Sequence, residues 1–310
     1  MASVFEAAPL TIAEAAETLG QAASKGRRVS IERAGGELVV STRYLNRLLE
    51  HQAGDLTVTV EAGIRLSALN ARLSEHGQML ALDPPGNPTI GAAIAGDLFG
   101  PRAYRYGRPR DLVLGVTVVL ADGTVANAGG KVVKNVAGYD LAKLFCGSHG
   151  RLGLIGRASL RLHPRPEASR TLVVPVSRPD DVQALVRALI HSTLAPSAVD
   201  LVWSEGESAL ALLFEGGETA TSIQLERSRA LLGGQEDGDI WGEAAARQLG
   251  ARSRGAFAAG ELASALRELP RALVRIGPTC FAYLAQPYEQ PWSPLAERVR
   301  ARFDPQGLLA

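Results

Sequence analysis

Residues 129–156 constrain the possible folds more than any other stretch, because seven glycines are spread among strand-forming apolar residues. These are Gly129, Gly130, Gly138, Gly147, Gly150, Gly153 and Gly156. Glycine is favoured where the backbone takes a positive φ or lies directly against a ligand. Three of the four lysines of the chain fall in the same stretch. The pattern predicts a surface for a large cofactor that carries phosphate and a flat ring. A tightly packed glycine-rich strand pair without a ligand is the alternative.

Composition narrows the class of protein. A chain of 310 residues is long enough for two domains. Its 46% hydrophobic content, 21% charged content and net charge of +1 are ordinary for a globular protein. Nucleic-acid binding is not expected, because the concentrated basic excess that such binding requires is missing.

The sequence carries no secretory signal pattern at its start and no apolar run of the roughly 18 to 20 residues that span a membrane. Cys146 and Cys280 are too few and too far apart for a disulfide framework, a zinc site or an iron–sulfur cluster. We therefore expect a cytoplasmic protein without direct membrane insertion. Any membrane association would come through a partner.

Local patterns predict an α+β fold. Thr11 and Glu14 form a capping box that begins a helix over residues 12–24, and a short strand follows at 29–31. Prolines at 84, 85 and 88 precede a run of small residues, 91–96, which permits close approach by a ligand or by a second packed element. Beyond a proline-rich connector at 161–166, short strands alternate with helices. We predict strands at 172–176, 199–203, 209–214, 272–276 and 281–284, and helices at 179–192, 219–232, 242–249, 261–269 and 294–303.

Several common kinds of active site are excluded because the sequence lacks their motifs. The phosphate-loop pattern fails around Gly130, and no dinucleotide-binding glycine fingerprint lies between a strand and a helix. The five histidines do not form a metal-binding pair. His149 is retained as a candidate because it lies in the glycine-rich stretch, whereas Asp140 is explained equally well as a helix N-cap. Catalytic residues stay unassigned.

Taken in order, several segments resemble one family. The segments are LDPPGNPTIGAAIAG, YGRPRDLVLGVTVVLADGT, KNVAGYDL at 134–141, GSHGRLG at 147–153, and the terminal FDPQG. Together they resemble the vanillyl-alcohol oxidase/p-cresol methylhydroxylase superfamily of FAD-binding proteins, and within it the FAD-binding E-type subunits of bacterial glycolate oxidases. The resemblance covers nearly the whole chain.

The resemblance implies a two-subdomain α+β FAD-binding domain over residues 1–166, a smaller α+β cap domain over 167–290, and a tail at 291–310 that returns to the first domain. It implies non-covalent FAD, with a pyrophosphate loop at Arg33–Glu37. The implied cofactor-binding residues are Arg33, Ala34, Gly35, Gly36, Glu37, Pro85, Thr89, Ile90, Gly91, Ala92, Ala93, Gly138, Gly147, Ser148, Gly150, Leu152, Gly153 and Ile155.

The resemblance also implies partners: a homologous FAD-binding catalytic subunit, an iron–sulfur subunit and a small 2-hydroxy acid such as glycolate. The sequence departs from the family pattern in two places, and these departures leave alternative functions open. The loop at Arg33–Glu37 has Ala34 and Glu37 where relatives carry a third glycine and Ser or Thr, which leaves open the alternative of a scaffold subunit with weakened or lost FAD binding. A stand-alone FAD-dependent alcohol or 2-hydroxy-acid oxidase is the other alternative. The absence of histidine after His191 argues against it.

Overall fold

Four β-sheets organise the residues that the computed structural model describes, which are 5–32, 35–130, 140–204, 207–287 and 294–310. The first is a parallel sheet of order β1-β3-β2, built from β1 (Phe5–Ala7), β2 (Val29–Ile31) and β3 (Leu38–Val40). Helix α1 (Ile12–Ser24) connects β1 to β2, and its first turn is capped by the Thr11 hydroxyl, which accepts from the Glu14 N–H at 3.1 Å. Leu19 of α1 is fully buried against the sheet.

The second sheet is antiparallel, has five strands in the order β4-β5-β9-β7-β8, and carries the larger N-terminal core. Its strands are β4 (Leu48–Gln52), β5 (Thr57–Glu61), β7 (Val113–Val119), β8 (Val125–Gly129) and β9 (Leu154–Arg161). Apolar residues of one face pack on α2 (Leu66–Ser74) and α3 (Ile90–Ala95). Two short helices, α4 (Ala103–Tyr106) and α5 (Pro109–Leu112), precede β7, and β6 (Gln78–Met79) pairs with β10 (His163–Pro164).

The third large sheet is antiparallel and has seven strands in the order β14-β11-β13-β12-β16-β17-β15. Its strands are β11 (Ala168–Val176), β12 (Ala198–Ser204), β13 (Ser208–Gly216), β14 (Gln235–Glu236), β15 (Ser253–Ala258), β16 (Arg271–Arg275) and β17 (Thr279–Leu284). Helices α6 (Pro179–Ile190), α7 (Glu218–Leu232) and α9 (Leu262–Glu268) share one hydrophobic core with it, and α8 (Ile240–Leu249) packs in a second.

The C-terminal segment lies against the first sheet. Helix α10 (Pro294–Phe303) places the Phe303 ring edge-on to Phe145, with centroids 5.7 Å apart. Beyond the helix, Val29 donates its N–H to the Leu308 carbonyl at 2.8 Å, and Leu309 pairs in parallel with Val29. The buried Asp304 carboxylate accepts the Leu308 and Leu309 N–H groups and fixes this turn.

The α+β fold class is confirmed. Helix α1 has the predicted bounds, and the elements predicted after residue 166 occur in the predicted order, although strands β14 and β15 were not predicted. Helix α3 was not predicted, because the prolines before it obscure a six-residue helix that Thr89 caps. The domain boundaries at 166 and 290 stay a prediction. Within the described ranges, no helix is long and apolar enough to cross a membrane.

Candidate functional site

A cavity of about 180 Å³ lies where three segments of the N-terminal half converge. One wall is the small-residue face of α3. The second is the segment before β9, residues 147–153, which we call the glycine loop. The third is the end of β2 together with the turn after β3. The lining residues are Ile31, Glu32, Thr42, Gly91, Ala92, Ala95, Gly96, His149, Gly150, Gly153 and Ile155. Glycine and alanine dominate the list, so much of the wall is backbone.

Helix α3 is held close to the five-stranded sheet by its first turn. The Thr89 hydroxyl accepts from the Ala92 N–H at 3.2 Å, and the Gly91 N–H donates to the Ala62 carbonyl at 2.7 Å. A Cβ at Gly91 would lie 2.9 Å from the Ala62 Cβ. Gly91 is therefore required for the docking of α3 as well as for an open cavity wall.

The glycine loop is fixed to the other end of α3. Gly147 donates its N–H to the Ile94 carbonyl at 3.0 Å, and His149 donates its N–H to the Ala95 carbonyl at 2.8 Å. Carbonyls at a helix C-terminus lack partners inside the helix, so this loop satisfies them. Gly147 and Gly150 both have φ of +78°, which explains glycine at these two positions.

Two lining residues that are not glycine also have positive φ: Glu32 at +59° and His149 at +53°. Such backbone costs free energy and is concentrated at functional sites. The Glu32 carboxylate is held by the turn after β3, where it accepts from the Thr42 hydroxyl at 2.6 Å and from the Thr42 N–H. Glu37 lies at the opposite end of β2, with its carboxylate accepting the Arg28 N–H at 3.0 Å.

The cavity fits part of an FAD molecule. Its volume is below the several hundred Å³ of a complete small-molecule site, so it suits one section of an extended cofactor. Backbone walls of glycine and alanine permit close approach by a flat ring or a phosphate. Next to His149 in sequence, the buried Ser148 hydroxyl has no hydrogen-bond partner among the described residues, but Ser148 does not line the cavity.

The structure brings together five of the predicted cofactor-binding residues in this cavity: Gly91, Ala92, Gly150, Gly153 and Ile155. Thr89, Gly147 and Ser148 lie beside it in sequence, whereas Ile90, Ala93 and Leu152 face the hydrophobic core. Pro85 lines a different cavity, between the N-terminal half and the seven-stranded sheet. Gly36 packs on the backbone of β2 and Glu37 caps its start, while Gly35 is exposed. Arg33, Ala34 and Gly138 lie outside the described residues.

Sequence reasoning missed part of the third wall. Ile31, Glu32 and Thr42 enter the site because β2 and β3 pair in parallel, which brings residues 32 and 42 to the same sheet edge. No local motif marks that juxtaposition. Ala95 and Gly96 belong to the small-residue run 91–96, whose pattern already indicated close approach by another group.

Ion pairs join the N-terminal half to the seven-stranded sheet. Arg102 donates from Nη2 to Glu215 Oε1 at 2.6 Å and from Nε to the same oxygen at 3.0 Å. The Glu215 side chain is 1% exposed and that of Arg102 is 32% exposed, so the carboxylate is buried while the guanidinium keeps some contact with solvent. Arg275, also buried, donates to the Phe99 carbonyl at 2.8 Å and to the Tyr283 hydroxyl at 3.0 Å.

Two buried carboxyl groups lie at this junction. Burial raises the pKa of Asp200 to about 6, against the pull of the nearby Arg275 guanidinium, whose Nε lies 3.5 Å from the carboxylate. Burial likewise raises the pKa of Asp83 to about 6, opposed by Arg102 and Arg275. In the described part of the chain, no three His, Cys, Asp or Glu side chains are grouped as a metal site would require.

Comparison with known proteins agrees with this geometry. Residues 7–129 match the family described as FAD binding domain. The chain is 34% identical over 206 residues to glycolate oxidase subunit GlcE of Escherichia coli, covering 65% of this chain and 56% of that one. It is 35% identical over 169 residues to glycolate oxidase subunit GlcD of Bacillus subtilis, covering 54% of this chain and 36% of that one.

A further relative is the mitochondrial D-lactate dehydrogenase [cytochrome] 1 of Saccharomyces cerevisiae, 34% identical over 171 residues, with 55% of this chain and 29% of that one covered. The chain therefore spans between 29% and 56% of the length of these three relatives.

The fold is also similar to a solved structure. A structure of alkyldihydroxyacetonephosphate synthase superposes with a TM-score of 0.70 over 98% of this chain and 75% of that one, at 15% identity. At this identity the likeness bears on the fold alone. The predicted FAD cofactor is confirmed by the matched family. Residues 7–129 thus match an FAD binding domain, and FAD is the cofactor.

Proposed function

We propose that this chain is the FAD-binding subunit of a multi-subunit oxidoreductase that acts on a small 2-hydroxy acid such as glycolate. The observation that carries the proposal is the glycine-lined cavity between α3, the glycine loop and the end of β2. It lies in a chain that is similar to GlcE, a protein named as a glycolate oxidase subunit, over 206 residues.

The contribution of this chain is binding and orientation. Bound FAD supplies two-electron redox chemistry, which the side chains of the protein do not. Gly91, Ala92, Gly150 and Gly153 would let the cofactor lie directly on backbone. Held between Ser41 and Thr42 rather than directed freely into the cavity, the Glu32 carboxylate would repel a phosphate less than an unpaired one.

Non-covalent attachment is part of the proposal. A covalent bond to the flavin requires a nucleophilic side chain at the ring, commonly histidine or cysteine. Neither cysteine lines the cavity, and burial raises the pKa of the neighbouring Cys146 thiol to about 12, which keeps it in the unreactive thiol form. His149 lines the cavity with its backbone fixed to α3.

Electron transfer to an iron–sulfur partner belongs to the same proposal. Two cysteines cannot supply the four thiolates of a common cluster, so the cluster would be held by another subunit. A homologous FAD-binding subunit would carry the substrate chemistry. Support comes from two of the relatives, GlcD and GlcE, which are both named glycolate oxidase subunits.

The test is reconstitution of the full chain with FAD, followed by assay with and without its co-expressed neighbouring subunits. We expect a yellow protein with about one flavin per chain and glycolate-dependent dye reduction in the assembled complex only. A colourless protein that cannot be reconstituted would instead support the scaffold alternative. Turnover by the isolated chain would support a stand-alone oxidase.

A further inference from the structure

Glu32 joins the two segments that form the third wall of the glycine-lined cavity. It directly follows β2, lines the cavity, and has a φ of +59°, which is unusual for a residue other than glycine. Its backbone N–H donates to the Val40 carbonyl at 3.0 Å, so the pairing of β2 with β3 is extended by one hydrogen bond. Backbone of this kind persists where the surrounding contacts hold it in place.

Three hydrogen bonds fix the Glu32 carboxylate to the turn after β3. Oε1 accepts from the Thr42 hydroxyl at 2.6 Å and from the Thr42 N–H, and Oε2 accepts from the Ser41 hydroxyl at 3.3 Å. Hydrogen bonds to a carboxylate are about twice as strong as those between neutral groups. The carboxylate therefore bridges the end of β2 and this turn, and the two ends of the bridge, Glu32 and Thr42, both line the cavity.

The same turn also contacts the segment that holds α3. Thr42 packs so closely on Gly63 that a Cβ there would lie 2.0 Å from the Thr42 carbonyl oxygen. Gly63 follows Ala62, whose carbonyl accepts the Gly91 N–H of α3 at 2.7 Å. A continuous series of close contacts thus runs from Glu32 through Thr42 to α3. Since close-packed contacts transmit displacement, this series sets the distance between two walls of the cavity.

The charge of Glu32 and its hydrogen bonds predict opposite effects on FAD binding. Among the described residues that line the cavity there is no lysine or arginine, and Glu32 is the one carboxylate. FAD carries a pyrophosphate, so by charge alone a carboxylate in the wall opposes binding. Removal of Glu32 should therefore strengthen binding if its charge dominates, and weaken binding if its hydrogen bonds do.

We propose that Glu32 is a positioning residue for FAD. Its carboxylate holds Thr42 and the turn after β3 in place, and it thereby fixes the width of the cavity before the cofactor enters. The inference rests on the proposed function, which places FAD in this cavity. A preorganised wall binds a ligand more tightly because less of the protein has to be ordered on binding. Loss of the bridge weakens FAD binding even though a like charge is removed.

The test is a titration of the FAD-free full chain with FAD, read by flavin fluorescence, in wild type, Glu32→Ala and Glu32→Gln. We expect Glu32→Ala to raise the Kd at least about tenfold. Glu32→Gln should stay within about threefold of wild type, because the amide oxygen accepts from both Thr42 donors and the Ser41 hydroxyl accepts from the amide nitrogen. Rescue by glutamine separates hydrogen bonding from charge.

Thr42→Val tests the other end of the bridge. Valine keeps the shape and the backbone N–H of Thr42 but removes the hydroxyl that donates at 2.6 Å. We expect the Kd to rise about three- to tenfold. In the Glu32→Ala background the same substitution should have no further effect, because the bridge is already lost. If Glu32→Ala does not fold, Thr42→Val and Glu32→Gln decide the question.

Glu261→Ala is the matched control. Its carboxylate likewise accepts a backbone N–H, from Ala258 at 3.1 Å, but Glu261 lies in the C-terminal half and does not line this cavity. It should leave the FAD affinity unchanged. Urea unfolding of every variant measures stability separately.

Two results would overturn the proposal. Tighter FAD binding by Glu32→Ala and Glu32→Gln would show that charge dominates. Unchanged FAD binding by Glu32→Ala and Thr42→Val, with lowered stability, would show a purely structural role. Both results leave the proposed function standing, whereas a wild-type chain that binds no FAD would contradict the proposed function and this proposal together.

Discussion

Replacing Gly150 by alanine should weaken FAD binding while leaving the chain folded. Gly150 lines the cavity with φ of +78°, and an added Cβ would lie 3.5 Å from the Ile31 side chain. That distance is ordinary contact, so the protein itself tolerates the methyl group. The left-handed conformation costs alanine about 1–2 kcal/mol of stability. The methyl group would occupy space in a wall on which the cofactor rests.

The expected loss of affinity follows from crowding. An extra methyl group in a closely packed site typically costs about 1–3 kcal/mol, which corresponds to a rise in Kd of about 5- to 150-fold. The assay is a titration of FAD-free protein with FAD, in which the quenching of flavin fluorescence measures binding. Urea unfolding of the same protein gives the stability change independently.

Gly233→Ala is the matched control. Gly233 caps the end of α7 with φ of +74°, and nothing lies within 4 Å of an added Cβ. The backbone cost is the same, but the position is far from the cavity in the fold. We expect equal loss of stability and unchanged FAD affinity. The reasoning fails if Gly150→Ala binds FAD as tightly as wild type, or if Gly233→Ala weakens FAD binding to the same extent.

Three further predictions follow from the junction and the thiols. Arg102→Gln should lower the free energy of unfolding by about 1–3 kcal/mol, because it leaves the buried Glu215 carboxylate without its ion-pair partner. Urea unfolding checks this, and Arg170→Gln, whose pairs with Glu218 and Glu236 are exposed, should hardly change the midpoint. Burial raises the pKa of Asp200 to about 6, so this carboxyl holds its proton more tightly in the folded than in the unfolded chain. Its contribution to the free energy of unfolding should therefore fall by up to about 3 kcal/mol as the pH rises from about 4 to about 6. Above pH 6 that contribution should no longer change. Asp200→Asn should remove the part of the slope that Asp200 contributes and leave the part that Asp83 contributes over the same pH range. An unchanged slope in pH-dependent urea unfolding would contradict the assignment. Burial raises the pKa of the Cys146 thiol to about 12, so a disulfide reagent at pH 8 should modify it slowly in the folded protein and rapidly in guanidinium; equal rates would show that the thiol is not protected.

Local patterns predicted those parts of the fold whose signals are themselves local. The capping box at Thr11 predicted the start of α1. Helix α3 was not predicted because its six residues follow three prolines and show little helical periodicity of apolar residues. Strand β15 also carries no regular alternation of apolar residues.

The residues of the candidate site were also predictable only where their signal is local. Gly150 and Gly153 could be found from composition, because glycine marks unusual backbone wherever it is concentrated. Glu32 and Thr42 could not, since their meeting depends on the parallel pairing of β2 and β3. The ion pairs of Asp97 with Arg108 and Arg254 join residues far apart in sequence, and no spacing within one segment predicts them.

The pairing of Leu309 with Val29 has a consequence for the biosynthesis of the site. Strand β2 supplies one wall of the cavity, yet its outer edge is completed by residues that leave the ribosome after the entire seven-stranded sheet. Contacts of such high sequence separation form late, because the intervening chain must be closed first. The nascent chain should therefore acquire FAD only after residue 309 has emerged, so that cofactor uptake reports completion of the fold.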